Sequence, residues 1–288
     1  MSNLPHFATL SPVLVRQAVE SALSEDLGLA GDVTSDAIIA SGAVASVVMN
    51  VREEGVIAGL DLAETAFKTM SPSLTFERLV QDGDAVTPGQ DIARIEGNAR
   101  AVLSGERVAL NYLCHLSGIA SYTARFAQEI AHTSAKVCCT RKTLPGLRAL
   151  EKYAVRCGGG SNHRYGLDDA ILIKDNHIAV AGGVGEAISA ARAFAGHLIK
   201  IEVEVDTLEQ LSEALEAGLD VVMLDNMAPA QLREGVAIVG GRIPIEASGN
   251  VSLDTIKAIA ETGVDYISTS KITMSAPSLD IGLDINII

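Results

Sequence analysis

The sequence is short of positive charge. Its 288 residues carry 22 Lys and Arg against 36 Asp and Glu, a formal net charge of −14. Nucleic acids and anionic membranes are held largely through a basic face that releases counterions, so this balance argues against both as partners. Long apolar runs are missing as well, since none reaches the roughly 18 residues that a membrane-spanning helix needs. The opening stretch MSNLPHFATLSPVL has no basic flank followed by an apolar segment. No secretory signal is read there, and the cytoplasm is the expected location. Cysteine is sparse: Cys114, Cys138, Cys139 and Cys157 form no C-x-x-C pair and no zinc-ligand spacing. They read as reduced, structural thiols. No G-x-G-x-x-G follows a strand-like run, which weighs against a dinucleotide fold.

What the chain does have is core. It is 48% hydrophobic and 20% charged, enough to bury a sizeable interior, and at about 150 residues per domain its length suggests roughly two. In the first part, Ser11-Pro12 offers a helix start leading into VLVRQAVESALSEDLG. Ala45 to Val51 reads as a strand and Leu60 to Met70 as a helix. Gln81 to Gly97 reads as a meander of short strands, and a long helical region follows from about Ala99 to Ile130. The expected N-terminal domain is therefore α/β and covers residues 1–115.

From about Lys136 the pattern changes. The runs KVCCT, AILIK, IKIEVEV, VVMLD, IPIEASG and YISTS alternate with helical stretches such as DTLEQLSEALEAG and SLDTIKAIAETG. Alternation at roughly 20–25 residues per unit predicts parallel β/α units. Six visible runs fall short of the eight of a closed barrel. Residues 116–276 are therefore expected to form an incomplete β/α barrel, with an open doubly wound sheet as the alternative, and 277–288 to return to the first domain.

In a β/α barrel the chemistry lies at the C-terminal ends of the strands, and here those ends are polar throughout. KVCCT runs into Thr140-Arg141-Lys142, and AILIK ends at Lys174. IEVEV carries Glu204, VVMLD ends at Asp225, IEASG leads into Ser248-Gly249-Asn250, and YISTS ends at Thr269-Ser270. Taken singly, each has an ordinary reading. Arg141 and Lys142 fit a solvated loop, and Glu204 fits the outward residue of a strand on which Glu202 shares its face. Asp225 fits a turn former before Asn226. Lys174 is harder to dismiss, because an ammonium ending an apolar strand must reach water or a partner. Jointly, at successive strand ends, they describe a site. Local charge agrees: eight of the 22 Lys and Arg lie between Lys136 and Lys174, against only Glu151, Asp168 and Asp169. Midway through this stretch, GGGSNHR places glycines before His163 and Arg164, which lets them approach an anionic ligand.

The 39-residue run TRKTLPGLRALEKYAVRCGGGSNHRYGLDDAILIKDNHI resembles the core signature of quinolinate phosphoribosyltransferases. EDLGLAGDVTSDAI, GERVALNYLCHLSGIAS, IEVEVDTLEQ, VVMLDNM and IEASGNV extend the resemblance over nearly the whole chain. It implies an N-terminal α/β sandwich domain plus an incomplete β/α barrel, the type II phosphoribosyltransferase fold. It implies transfer of phosphoribosyl from phosphoribosyl pyrophosphate to quinolinate with decarboxylation, in a homodimer or larger assembly with shared active sites. Arg141, His163, Arg164 and Lys174, with Arg107 from a neighbouring subunit, would meet the quinolinate carboxylates, and Thr140 would line the substrate site. Lys142 would face phosphoribosyl pyrophosphate. Glu204 and Asp225 would meet the ribose hydroxyls and a magnesium ion held mainly by the pyrophosphate. Ser248, Gly249 and Asn250, with Thr269 and Ser270, would hold the 5-phosphate.

One stretch departs from the pattern. Where the family's last loop commonly reads S-V-G-A-L-T-H-S, this chain has Ser268-Thr269-Ser270-Lys271-Ile272-Thr273-Met274-Ser275, with Ser270 for a glycine and Met274 for a histidine. Three other readings stand beside the resemblance. They are a sister phosphoribosyltransferase acting on a monocarboxylate, a Schiff-base aldolase using Lys174, and a binding protein without catalysis.

Overall fold

The computed structural model describes residues 9–286, which divide into two compact units. The first takes in residues 9–122, 150–159 and 276–286, and the second 123–149 and 160–275. Relative to a boundary at 115/116, residues 116–122 and 150–159 thus fall in the first unit. The chain opens with α1 (Pro12–Leu27), α2 (Val33–Ile38), β1 (Val44–Val51), β2 (Gly55–Val56) and α3 (Leu60–Met70). β3 (Thr75–Arg78), β4 (Ala85–Val86), β5 (Asp91–Asn98) and the long α4 (Ala99–Glu129) follow. Next come β6 (Lys136–Cys138), α5 (Arg148–Cys157), β7 (Ile171–Ile173), α6 (Asp175–Ala181) and α7 (Val184–Phe194). Then β8 (Ile201–Val205), α8 (Leu208–Ala217), β9 (Val221–Asp225) and α9 (Pro229–Val239) alternate. β10 (Ile245–Ser248), α10 (Leu253–Ala260), β11 (Tyr266–Ser268), α11 (Lys271–Met274) and β12 (Ile281–Asn286) complete the order.

The first unit is built on an antiparallel sheet of order β12-β1-β5-β3. Alternation along β1 buries Ala45, Val47, Met49 and Val51, the period expected of a strand with one face in a core. α3 buries Leu60, Leu62, Ala63, Ala66 and Phe67. It starts at Gly59, and its first free N–H groups, those of Gly59 and Leu60, donate to the Asp82 carboxylate at 3.0 and 3.1 Å. The Tyr153 hydroxyl donates to the same carboxylate at 2.7 Å, and His115 Nε2 lies 3.1 Å from Glu151 Oε1. These bonds explain why residues 150–159 group with the first unit. β12 brings residues 281–286 into the sheet, pairing Met49 with Leu283 and Val51 with Ile281.

The second unit is a parallel six-stranded sheet of order β6-β11-β10-β9-β8-β7. Read as a ring, the strands follow in sequence, and the ring is interrupted between β6 and β7. There Ser161 makes a single parallel bridge to Cys138. Helices α7 to α10 connect successive strands, so the sheet follows the β/α rule of parallel strands joined by crossover helices.

Candidate active site

Parallel register assigns each strand residue to a face. One face carries Val137, Ile171, Ile173, Ile201, Val203, Val205, Val222, Leu224, Ile245, Ala247 and Ile267. It is aliphatic throughout, as a face covered by helices requires. The other carries Lys174 just past β7, Glu202 and Glu204 on β8, Asp225 on β9, Glu246 and Ser248 on β10, and Ser268 on β11. Residues of this face from β7 to β11 converge on one cavity of ≈ 550 Å³, so it is the concave face. Glu204 is therefore not an outward strand residue.

The cavity wall includes Thr140, Lys142, Lys174, Glu204, Asp225, Ser248, Gly249, Asn250, Thr269 and Ser270, all singled out from sequence. Asn226, Val251, Ser252, Ser268 and Lys271 join them. Lys174 finds its partner in the Glu204 carboxylate of the adjacent strand. The ends of β9 and β10 are tied together. The Asn226 backbone N–H donates to Ser248 O at 2.9 Å, and Asn250 Nδ2 donates to Asn226 Oδ1 at 3.2 Å. Asn226 Nδ2 in turn donates to Asp225 Oδ2 at 2.5 Å, which fixes that carboxylate in the cavity. Asn226 and Asn250 have φ of 55° and 54°, the left-handed region that asparagine tolerates better than most side chains. After β11, Ser270 has φ −81° and ψ −11°, an ordinary helical conformation. The serine at the family's glycine position is thus unstrained.

A second group of cations lies outside that wall. The glycine-rich segment is largely buried at its start, with Gly158, Gly160 and Ser161 buried and Gly159 exposed. It carries His163 and Arg164 toward the gap between β6 and β7. Arg164 Nη1 donates to Ala170 O at 2.8 Å. Its guanidinium is pushed below the usual arginine range, first by burial and then by Arg141 beside it. The Nε atoms of Arg141 and Arg164 are buried without hydrogen-bond partners, and among the described residues neither arginine pairs with a carboxylate. Two adjacent guanidinium groups in that condition suit an anion that binds both. Arg107 is exposed on α4 in the first unit.

Sequence reading missed what surrounds His163. Its Nε2 lies 2.8 Å from Glu202 Oε2 and 3.9 Å from Glu246 Oε1, and ligand atoms of the three residues fall within 4.8 Å of one another. The signal was present: IPIEAS alternates as IEVEV does, so Glu246 and Ser248 share a face just as Glu202 and Glu204 do. Burial, and then the neighbouring Glu202 carboxylate, push the Glu246 carboxyl up to about 7, against the opposing pull of His163 and Ser268. Because the folded-state value lies above the ordinary 4.5, this group favours folding fully below about pH 4.5. Its contribution declines as pH rises through that range and is gone above about pH 7. Glu246→Gln, which mimics the protonated acid, should accordingly flatten the fall in melting temperature between pH 5 and pH 8. Equal falls in wild type and variant would remove Glu246 from the pH response.

The sequence itself bears out the family. The model for "Quinolinate phosphoribosyl transferase, C-terminal domain" matches residues 119–284, and that for the N-terminal domain matches residues 32–117. A probable nicotinate-nucleotide pyrophosphorylase [carboxylating] of Bacillus subtilis is 44% identical over 263 residues, covering 91% of this chain and 90% of the relative. The nicotinate-nucleotide pyrophosphorylase [carboxylating] of Mycobacterium leprae is 44% identical over 275 residues, 94% of this chain and 96% of its own. The crystal structure of NadC from Streptococcus pyogenes superposes with a TM-score of 0.95 at 41% identity, covering 98% of this chain and all of that one. This chain belongs to the quinolinate phosphoribosyl transferase family.

Proposed function

We propose that this chain transfers the phosphoribosyl group of phosphoribosyl pyrophosphate to quinolinate with loss of carbon dioxide, giving nicotinate mononucleotide and pyrophosphate. The observation that carries the reading is a reversal of charge. In a chain of net charge −14, the concave face and the gap beside it hold Arg141, Lys142, Arg164 and Lys271 with no carboxylate partner among the described residues. Both substrates are polyanions that must meet at bonding distance. Two like charges 4 Å apart repel by about 4 kcal/mol at an effective dielectric of 20, which several cations offset. A cavity of ≈ 550 Å³ is of the size that holds a small-molecule ligand.

The pyridine nitrogen attacks the anomeric carbon as the bond to pyrophosphate breaks, and the ribose passes through an oxocarbenium-like state. Carboxylates near the ring favour that charge, and Glu204 and Asp225 are the carboxylates in the wall. Quaternising the nitrogen makes the ring an electron sink. The C2 carboxylate then leaves as carbon dioxide, and a proton takes its place. Arg141, His163, Arg164 and Lys174 hold the quinolinate carboxylates, joined by Arg107 of a neighbouring subunit, while Thr140 lines the site. The donor set also suits magnesium, a hard cation that reaches proteins through one or two carboxylates plus substrate phosphates. Glu204 and Asp225 would share it with the pyrophosphate, whose departing charge the ion neutralises when bound. We place the enzyme in the cytoplasm as a homodimer or larger assembly. Among the described residues no helix is long and apolar enough to cross a membrane. An imine mechanism is disfavoured, because Lys174 is engaged by Glu204 rather than presented as a free amine.

Purified protein with quinolinate, phosphoribosyl pyrophosphate and magnesium should form nicotinate mononucleotide and carbon dioxide in equal amounts, and none from nicotinate. Product from nicotinate alone would move the chain to a sister activity. Shared sites have their own test: Arg107→Ala mixed with an inactive Lys142→Ala protein should regain activity through hybrid assemblies. Silence from every mixture, with subunit exchange verified, would confine each site to one chain.

A further inference from the structure

We infer that Lys271 is a binding residue for the 5-phosphate of phosphoribosyl pyrophosphate and supplies a positive charge there, three residues before the position at which the family's usual loop has histidine. The inference rests on the transfer reaction proposed above. Lys271 lines the same cavity as Ser248, Gly249, Asn250, Thr269 and Ser270, the small and hydroxyl residues at the ends of the last two strands. In barrels of this kind such ends commonly receive a phosphate. Its backbone N–H donates to Thr269 Oγ1 at 3.2 Å, and its side chain is exposed. Among the described residues no carboxylate lies within 4.0 Å of its ammonium. The other lysine at this end, Lys142, is coupled to the same loop, since Thr273 Oγ1 donates to Lys142 O at 2.7 Å.

The position matters because of what surrounds it in sequence. Where the family pattern has alanine and, three residues on, histidine, this chain has Lys271 and Met274. Residues three apart in a helix lie on one side, one above the other, and both positions fall within α11. Met274 is 52% exposed, so no core packing accounts for it. In that pattern a histidine, cationic when protonated, stands at the end of the turn, whereas here a lysine stands at its start. Ser270 adds a hydroxyl at the position before, in a conformation open to any residue. A charge-assisted contact to a phosphate is worth roughly ten-fold or more in affinity.

The test is calorimetric binding of ribose 5-phosphate and of pyrophosphate, alongside steady-state kinetics. Lys271→Ala should weaken ribose 5-phosphate roughly ten-fold and raise the KM for phosphoribosyl pyrophosphate similarly. Pyrophosphate affinity, the KM for quinolinate and kcat should stay within about two-fold, a split that general loosening of the loop would not produce. Lys271→Arg should keep most of the affinity, and adding Met274→His to Lys271→Ala should recover part of it. Unchanged ribose 5-phosphate binding, or a loss confined to pyrophosphate, would overturn the assignment. No recovery from Met274→His would overturn the exchange of positions. A wild type that bound ribose 5-phosphate yet formed no product would instead overturn the transfer reaction, with the Lys271 contrast still measured.

Discussion

Replacing Lys142 with alanine is expected to lower kcat by about 100- to 1000-fold while leaving the melting temperature where it is. The two halves of that statement have separate grounds. The backbone at Lys142 is pinned without help from the side chain: its N–H donates to Thr140 Oγ1 at 3.0 Å, and its carbonyl accepts from Thr273 Oγ1 at 2.7 Å. Alanine keeps both bonds. The ammonium itself is exposed and pairs with no carboxylate among the described residues, so removing it strands no buried charge and costs little stability. Its surroundings assign the catalytic half. It stands in the cavity wall with Glu204 and Asp225, where, in the reaction proposed above, negative charge would develop on a departing pyrophosphate. A cation fixed beside such a group acts chiefly in the transition state, so kcat should fall more than either KM rises. Lys142→Arg should retain part of the rate, because charge is kept while the contact geometry changes. A kcat within a few-fold of wild type for Lys142→Ala would remove this residue from the chemistry.

The alternation of aliphatic runs and helices made the second unit readable, because a parallel sheet covered by helices needs strands such as ILI and VVMLD and leaves polar residues for their ends. The same logic found Thr140, Lys142, Lys174, Glu204, Asp225 and the Ser248–Asn250 turn, which the cavity brings together. Harder to see was the floor beneath them. Glu202 and Glu246 lie one alternation earlier on their strands, and their relation to His163 arises between segments far apart in sequence. Nor does periodicity reveal that Leu150 to Gly159 leaves the barrel for the first unit. By pattern α5 is an amphipathic helix like the others, yet it is buried over most of its length, Glu151 and Lys152 included, and bonds to Asp82 and His115, distant in sequence, tie it to the first unit. Pattern reading reports which face of an element is apolar. Which neighbour covers that face is decided by contacts the pattern does not contain.

Gly249→Ala is expected to lose both stability and phosphate binding, and it tests how the strand ends are joined. Gly249 has φ +92°, and a Cβ there would lie 2.1 Å from Asn226 Oδ1 and 2.9 Å from Asn226 N. The backbone conformation alone costs a side chain about 1–2 kcal/mol, and forced displacement of packed neighbours adds about 1–3 kcal/mol. A fall of several degrees in melting temperature follows, at about 2–4 °C per kcal/mol for a domain of this size. The functional consequence comes through Asn226. Its amide donates to Asp225 and accepts from Asn250, so pushing it aside disturbs a carboxylate and a turn residue of the cavity wall at once. The KM for phosphoribosyl pyrophosphate should therefore rise by at least about ten-fold, since one or more charge-assisted contacts are lost. Adding Asn226→Gly removes the nearest clash without straining the left-handed backbone at 226, but not the strain at φ +92°, so it should restore part of the stability and little of the binding. If Gly249→Ala instead melts and binds as the wild type does, the ends of β9 and β10 are not packed against each other at this glycine, and the Asp225 carboxylate is held by something other than Asn226.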